Sequence, residues 1–325
     1  MTKQSNSYSS RKERRRKKDR LRKKRIVISC TSLIVGVVVV LLFFNLGGKT
    51  NQKALASNGG VEIENSKDNI DKEPEKPKLD NSGYLSLEED PNADDAAIVS
   101  ENTNALLTGT KQYPVRNDGK KVAYLTFDDG PSTTNTPKVL ETLEKYNIKG
   151  TFFVLGKSIE KSEESKEILK TIAKDGHAIA NHTYGHDYKY LYPNRVMNVN
   201  NIVSDIEKNN EIMRNVLGKD FSTRVIRFPG GYWSWNGRTP MKEVMNEKGY
   251  FNVDWDALNS DAEGKKKDAA GLLAKTKESV EALGPNADSV VILMHDTYGK
   301  EETVKALPQI IEYLQNKGFE FRTIK

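Results

Sequence analysis

Four short stretches of this 325-residue chain carry side chains that handle protons and cations. In the first, Asp128-Asp129 precedes Gly130-Pro131. Adjacent carboxylates in an extended strand face opposite ways, but a bend at Gly-Pro brings both toward one pocket. Crowded carboxylates repel each other unless a cation lies beside them; a solvated Asp-Asp-Gly turn is the plainer alternative. In the second, His182 and His186 stand at i and i+4 and meet on one face if the segment forms a helical turn. Two neutral imidazoles and one carboxylate make a facial ligand set that leaves room for water and substrate, the pattern of catalytic zinc sites. A solvated histidine pair is the competing reading. Arg227 opens Arg227-Phe228-Pro229-Gly230-Gly231 and suits either a carboxylate partner or a structural ion pair. His295 closes Leu293-Met294-His295 and, taken alone, reads as a strand-end residue. The only cysteine, Cys30, lies far from all four stretches, so a metal here must use nitrogen and oxygen.

Each stretch follows a run with strand character. Apolar segments at 121–127, 150–155, 177–181, 224–228, 251–256, 289–294 and 319–324 alternate with helical patterns at 135–147, 162–174, 195–217, 238–248, 268–283 and 302–317. The alternation predicts an α/β fold with a parallel sheet, open or closed into a barrel, whose reactive residues sit at the C-terminal strand ends. The 195–217 helix has the clearest period, with Val199, Ile202, Val203, Ile206 and Met213 on one stripe that reads as core. His177 begins a strand and reads as structural.

Taken in order, Thr126-Phe127-Asp128-Asp129-Gly130, His182-Thr183-Tyr184-Gly185-His186, Arg227-Phe228-Pro229-Gly230-Gly231, Asp261 and Leu293-Met294-His295 resemble the polysaccharide deacetylase family, the NodB homology domain of carbohydrate esterase family 4. The resemblance covers about residues 119–325 and implies a distorted (β/α) barrel of about seven parallel strands. It implies that Asp129, His182 and His186 hold a divalent metal, usually Zn2+, with Co2+ or Ni2+ also suited to such donors. It further implies that Asp128 is the general base, oriented and kept ionised by Arg227, and that His295 is the general acid, oriented by Asp261. A backbone N–H near Gly230 would receive the oxyanion. Two positions depart from the common pattern: Gly230 stands where many members have an aromatic residue, and Ala262 follows Asp261 in place of a tryptophan. Tyr232 or Trp233 is the expected replacement for the first, Trp255 for the second, and Leu293 is expected to line the pocket.

The net charge of +6 suggests nucleic acid until its position is considered. Residues 1–25 hold 13 Lys/Arg against two acids, whereas residues 62–101 hold 13 acids against four Lys, which leaves 102–325 nearly neutral. The basic block is followed by an uncharged run at 26–46, long enough as a helix to cross roughly 30 Å of hydrocarbon. This predicts a cytoplasmic basic segment at 1–25, a transmembrane helix at 26–46 and an exported remainder, by the positive-inside rule. Signal-peptide cleavage after Ala56 is the alternative. Residues 47–110 read as an acidic, disordered linker, and 111–325 as the catalytic domain. Membrane-anchored members with this layout look like peptidoglycan N-acetylglucosamine deacetylases. The expected substrate is therefore cell-wall glycan, the expected product a free amine, and the expected consequence lysozyme resistance. An O-acetyl esterase, a chitooligosaccharide deacetylase and an inactive wall-binding protein are the alternatives. No nucleic acid is expected as a partner.

Overall fold

The structure, a computed structural model, describes residues 84–325. The expected basic segment, transmembrane helix and first part of the linker lie outside the described residues. Among the described residues, no helix is long and apolar enough to cross a membrane.

In chain order the strands are β1 (Ala93–Asp94), β2 (Val122–Asp128), β3 (Thr151–Val154), β4 (Ala178–Asn181), β5 (Val225–Ile226), β6 (Phe251–Asn252), β7 (Ala257–Leu258), β8 (Ser289–His295), β9 (Glu320–Phe321) and β10 (Thr323–Ile324). The main sheet runs β6-β5-β4-β3-β2-β8-β7, parallel throughout, with β9 also pairing β2. Of the expected strand at 251–256 only Phe251–Asn252 is strand, and β7 begins just past it at Ala257. β6 pairs with β5, β7 with β8, and Val253–Asp256 crosses between the two edges of the curled sheet. The expected strand at 319–324 also splits, because β9 pairs with β2 and β10 with β1.

Strand alternation sorts the core into two layers. From β2, Ala123, Leu125 and Phe127 face outward into a cluster with Val139 and Leu143 of helix Thr136–Lys145 and Leu307 and Ile311 of helix Glu301–Asn316. Val122 and Tyr124 face the interior with Phe153, Ala180, Val225, Val253 and Val291. The seven-residue ladder between β2 and β8 runs from Val122↔Ser289 to Asp128↔His295. The last inward position of each of these two strands is thus the titratable residue, level with its partner and stacked above the interior cluster.

The described part of the expected linker is folded. Helix Ala96–Leu107 starts at Asp95, whose side chain accepts the Ala97 N–H, and its Ala96 and Val99 enter the interior cluster. Three of the acids that gave this stretch its solvated look have basic partners from the rest of the fold. Asp90 pairs with Lys325 at 2.8 Å, Asp94 with Arg116 at 2.8 Å and Arg322 at 2.7 Å, and Asp95 with Arg224 at 2.7 Å. Composition counted those charges without seeing the long-range pairs that neutralise them.

A chain starting at residue 111 loses all of these contacts. It should melt at least about 10 °C below residues 84–325 in a thermal denaturation followed by circular dichroism; equal melting temperatures would show that the segment is not part of the folding unit.

Candidate active site

The site forms where β2, β4, β5 and β8 end. Past Asp128 the chain turns sharply: Asp129 has a positive φ of 70° and the Gly130-Pro131 peptide is cis. The turn is pinned from below by Asp296, whose carboxylate accepts a 2.6 Å hydrogen bond from the Thr136 hydroxyl. A Cβ on Gly130 would lie 2.5 Å from Asp296 Oδ1, which explains the glycine. Burial pushes the Asp296 carboxyl up to about 7.

The loop after β4 does not make the expected helical turn. Thr183 and His186 both have positive φ, 70° and 51°, and these two kinks bring the imidazoles together. Helix Val199–Leu217 holds the loop. Asp205 Oδ2 accepts the N–H groups of Tyr184 and Gly185 at 3.0 and 2.9 Å. The buried Asn209 amide donates to Val154 O, Asn181 Oδ1 and Thr183 O. Sequence periodicity assigned this helix to core alone and missed both residues; polar side chains at 205 and 209, one turn apart beside the Ile202/Ile206 stripe, were the available signal.

Asp129, His182 and His186 form the group among the described residues that could hold a metal, with donor atoms all within 4.8 Å of one another. Asp129 Oδ1 lies 3.5 Å from the Nε2 atoms of both histidines. It is buried and has no hydrogen-bond partner. Ligand atoms sharing a tetrahedral ion at about 2.0–2.1 Å lie roughly 3.4 Å apart, so these donors fit such an ion. His182 Nδ1 lies 2.7 Å from Arg227 O; with its proton on that side, Nε2 presents a lone pair to the cluster. Burial lowers the His182 pKa to about 3, which keeps it neutral.

Arg227 is fully buried. Its Nη1 donates to Asp128 Oδ1 at 2.7 Å and Thr126 Oγ1 at 2.8 Å, Nε to Val253 O, and Nη2 to Asp254 O. Its guanidinium lies 3.9 Å from the centre of the Phe153 ring. Burial pushes the Asp128 carboxyl up, and Arg227 pulls it back only in part, so the net shift is opposite to the expected lowering. Asp128 Oδ2 stands 3.6 Å from His182 Nε2. On β8, His295 Nδ1 lies 2.7 Å from Asp261 Oδ1, and Asp261 Oδ2 accepts from the His295 N–H and the Thr303 hydroxyl. Burial works against a charged His295, but Asp261 outweighs it and holds the imidazole above its usual range. His295 Nε2 points toward the cluster, 4.0 Å from Asp129 Oδ2.

The expected aromatic replacements are placed differently. Tyr232 is buried in a satellite cluster, its hydroxyl donating to Arg238 O. Trp233 is 37% exposed and donates to Asn104 on helix Ala96–Leu107. Gly230 has φ +75°, and a Cβ there would meet Trp235 at 3.1 Å and the Tyr188 hydroxyl at 3.2 Å. Those two rings, 5.3 Å apart, occupy the space that the sequence comparison left open, and Tyr188 also lies 5.1 Å from His186. The Gly231 and Tyr232 N–H groups are used by Phe228 O and Asp254, while that of Gly230 has no protein acceptor among the described residues. Trp255 is half-buried against Gly231, and Leu293 is buried one inward position below His295. His177 is outside the cluster; its Nδ1 accepts the Gly150 N–H.

A sequence profile for the polysaccharide deacetylase domain matches residues 115–252. A bifunctional xylanase/deacetylase of Pseudobutyrivibrio xylanivorans is 33% identical over 205 residues, covering 63% of this chain and 30% of that one. The chain thus spans under a third of that relative. A peptidoglycan-N-acetylglucosamine deacetylase of Bacillus cereus is 31% identical over 225 residues, covering 67% of this chain and 92% of its own length. Among solved structures, a Streptococcus mutans CE4 esterase superposes with a TM-score of 0.66 and 32% identity, over 75% of this chain and all of the other.

Asn209→Ala leaves the three donor residues in place but frees the loop that presents two of them. Zn2+ affinity, measured by chelator competition, should fall about 10- to 100-fold, with a stability loss of about 1–3 kcal/mol. Unchanged affinity would show that the loop holds its shape without the amide.

Proposed function

Because this chain belongs to the polysaccharide deacetylase family, we propose that it hydrolyses the N-acetyl group of N-acetylglucosamine in peptidoglycan, releasing acetate and leaving a free amine. One observation carries this reading: a carboxylate and an imidazole with separate supports, Asp128 on Arg227 and His295 on Asp261, flank a three-donor cluster with an orphaned oxygen. Asp129, His182 and His186 would hold a divalent ion, Zn2+ or alternatively Co2+ or Ni2+, whose chemistry is to acidify water and polarise the acetyl carbonyl.

The protein's own groups perform the remaining work. Asp128 accepts the proton of the attacking water while Arg227 fixes its carboxylate. The Gly230 N–H faces the developing oxyanion. His295, with Asp261 on Nδ1, delivers a proton from Nε2 to the glucosamine nitrogen as the C–N bond breaks. An O-acetyl ester is the second reading, favoured by the Streptococcus mutans relative described as an esterase, since the same groups act on an ester carbonyl. The inactive alternative has less support, because Asp128, Asp129, His182, His186, Arg227 and His295 are all present.

The proposal includes the place of action. Residues 26–46 anchor the chain in the cytoplasmic membrane with residues 1–25 inside, and the catalytic domain works on the outer side. Each acetamide converted to an ammonium changes the glycan that lysozyme must grip, so the enzyme confers lysozyme resistance. Deleting the gene should raise wall acetylation and lysozyme sensitivity together; a strain unchanged in both would end this reading.

Asp128→Asn should lower kcat by about 10²-fold or more with metal content retained by elemental analysis. Full activity would remove Asp128 as the base. The pH profile tests the acid. His295 is raised by Asp261, so its proton is kept to higher pH and kcat/KM falls as pH rises through that raised value. Asp261→Asn leaves burial to pull His295 down, so the alkaline limb should move to lower pH. A limb that stays put excludes His295 as the donor.

A further inference from the structure

A cleft of about 400 Å³ adjoins the donor cluster, lined by Asp129 and His186 themselves and by Lys157, Lys161 and Tyr298. Both lysines are exposed, yet each is held in place. Lys161 Nζ sits 3.5 Å above the Tyr298 ring, whose hydroxyl lies 3.3 Å from Thr133 Oγ1. Lys157 Nζ donates to Gly185 O at 2.6 Å.

Four surface lysines on longer helices, Lys166, Lys170, Lys275 and Lys305, each pair with a glutamate three residues away. Lys157 lies in the short helix Gly156–Ile159 and Lys161 in the turn before Ser162, and among the described residues neither ammonium has a carboxylate within ion-pair distance. Two cations therefore stand without anionic partners on the wall of a cleft that opens onto the proposed reacting centre.

Neutral chitin and xylan backbones offer nothing to such a wall. In peptidoglycan, the sugar next to each N-acetylglucosamine carries a lactyl ether, which ends in a carboxylate or in a peptide bearing carboxylates. We propose that Lys157 and Lys161, steadied by Gly185 O and Tyr298, form a subsite for the carboxylate carried by the sugar neighbouring the one deacetylated. The subsite selects an anionic glycan over a neutral one. This rests on the deacetylase reading above and names the substrate class within it.

The test uses the full-length protein, with Lys161→Gln, Lys161→Glu and Lys157→Gln, on three glycans: chitotetraose, peptide-free peptidoglycan strands and peptide-bearing strands. Acetate release gives kcat/KM for each, and calorimetry gives binding. The ratio of kcat/KM on anionic strands to that on chitotetraose should fall about 2- to 5-fold for Lys161→Gln, further for Lys161→Glu, and the wild-type preference should shrink at high salt. A fall on peptide-free strands alone assigns the free lactyl carboxylate, a fall on peptide-bearing strands alone assigns the peptide carboxylates, and a fall on both shows that the subsite takes either. Ratios and relative binding unchanged in all three variants would overturn the subsite. No acetate from any glycan would overturn the deacetylase reading, with calorimetry of the Lys161 variants on anionic strands still deciding the subsite.

Discussion

One guanidinium ties the reacting groups to the curled sheet. Arg227 has no exposed surface, and an ion in that position costs several kcal/mol unless its hydrogen bonds are met. They are met by β2 through Thr126 and Asp128 and by the 251–258 segment through Val253 O and Asp254 O. The backbone of the same residue accepts from His182, which turns that imidazole's free nitrogen toward Asp129. The orientation of Asp128 and the tautomer of His182 are therefore set by one residue at the end of β5. A lysine could supply the charge but not a planar fork reaching both segments at once.

The sequence made the strand ends legible because chemistry concentrates there. Asp128, His182, Arg227 and His295 each close an apolar run, and the β2–β8 register places the first and last of them level. The helices appeared where a stripe of apolar residues recurs, as in Glu163–Lys174 and Val199–Leu217. Three things were hidden, each because it depends on a partner distant in sequence. Asp90, Asp94 and Asp95 looked solvated because their cations come from residues 116, 224, 322 and 325. Asp205 and Asn209 looked like the wet side of an amphipathic helix, although they face the ligand loop. Tyr188 and Trp235 could not be linked to Gly230 from spacing, since they meet it only in the folded chain.

The histidine pair shows a different limit. Spacing at i and i+4 suggested a helical turn, yet the residues converge through two left-handed kinks braced by Asp205. The spacing was a sound guide to proximity and a poor guide to conformation. A loop that presents two ligands in strained backbone geometry depends on its supports, so the polar residues of helix Val199–Leu217 belong to the site as much as the imidazoles do.

The passage of Val253–Asp256 between β6 and β7 has a colloidal consequence. Open parallel sheets end in rows of unpaired amides that recruit strands from other chains. Here the outermost strands are two residues each and belong to one continuous segment, so a neighbouring molecule finds almost no ladder to extend. For molecules crowded side by side on a surface, that geometry favours remaining separate over stacking into aggregates.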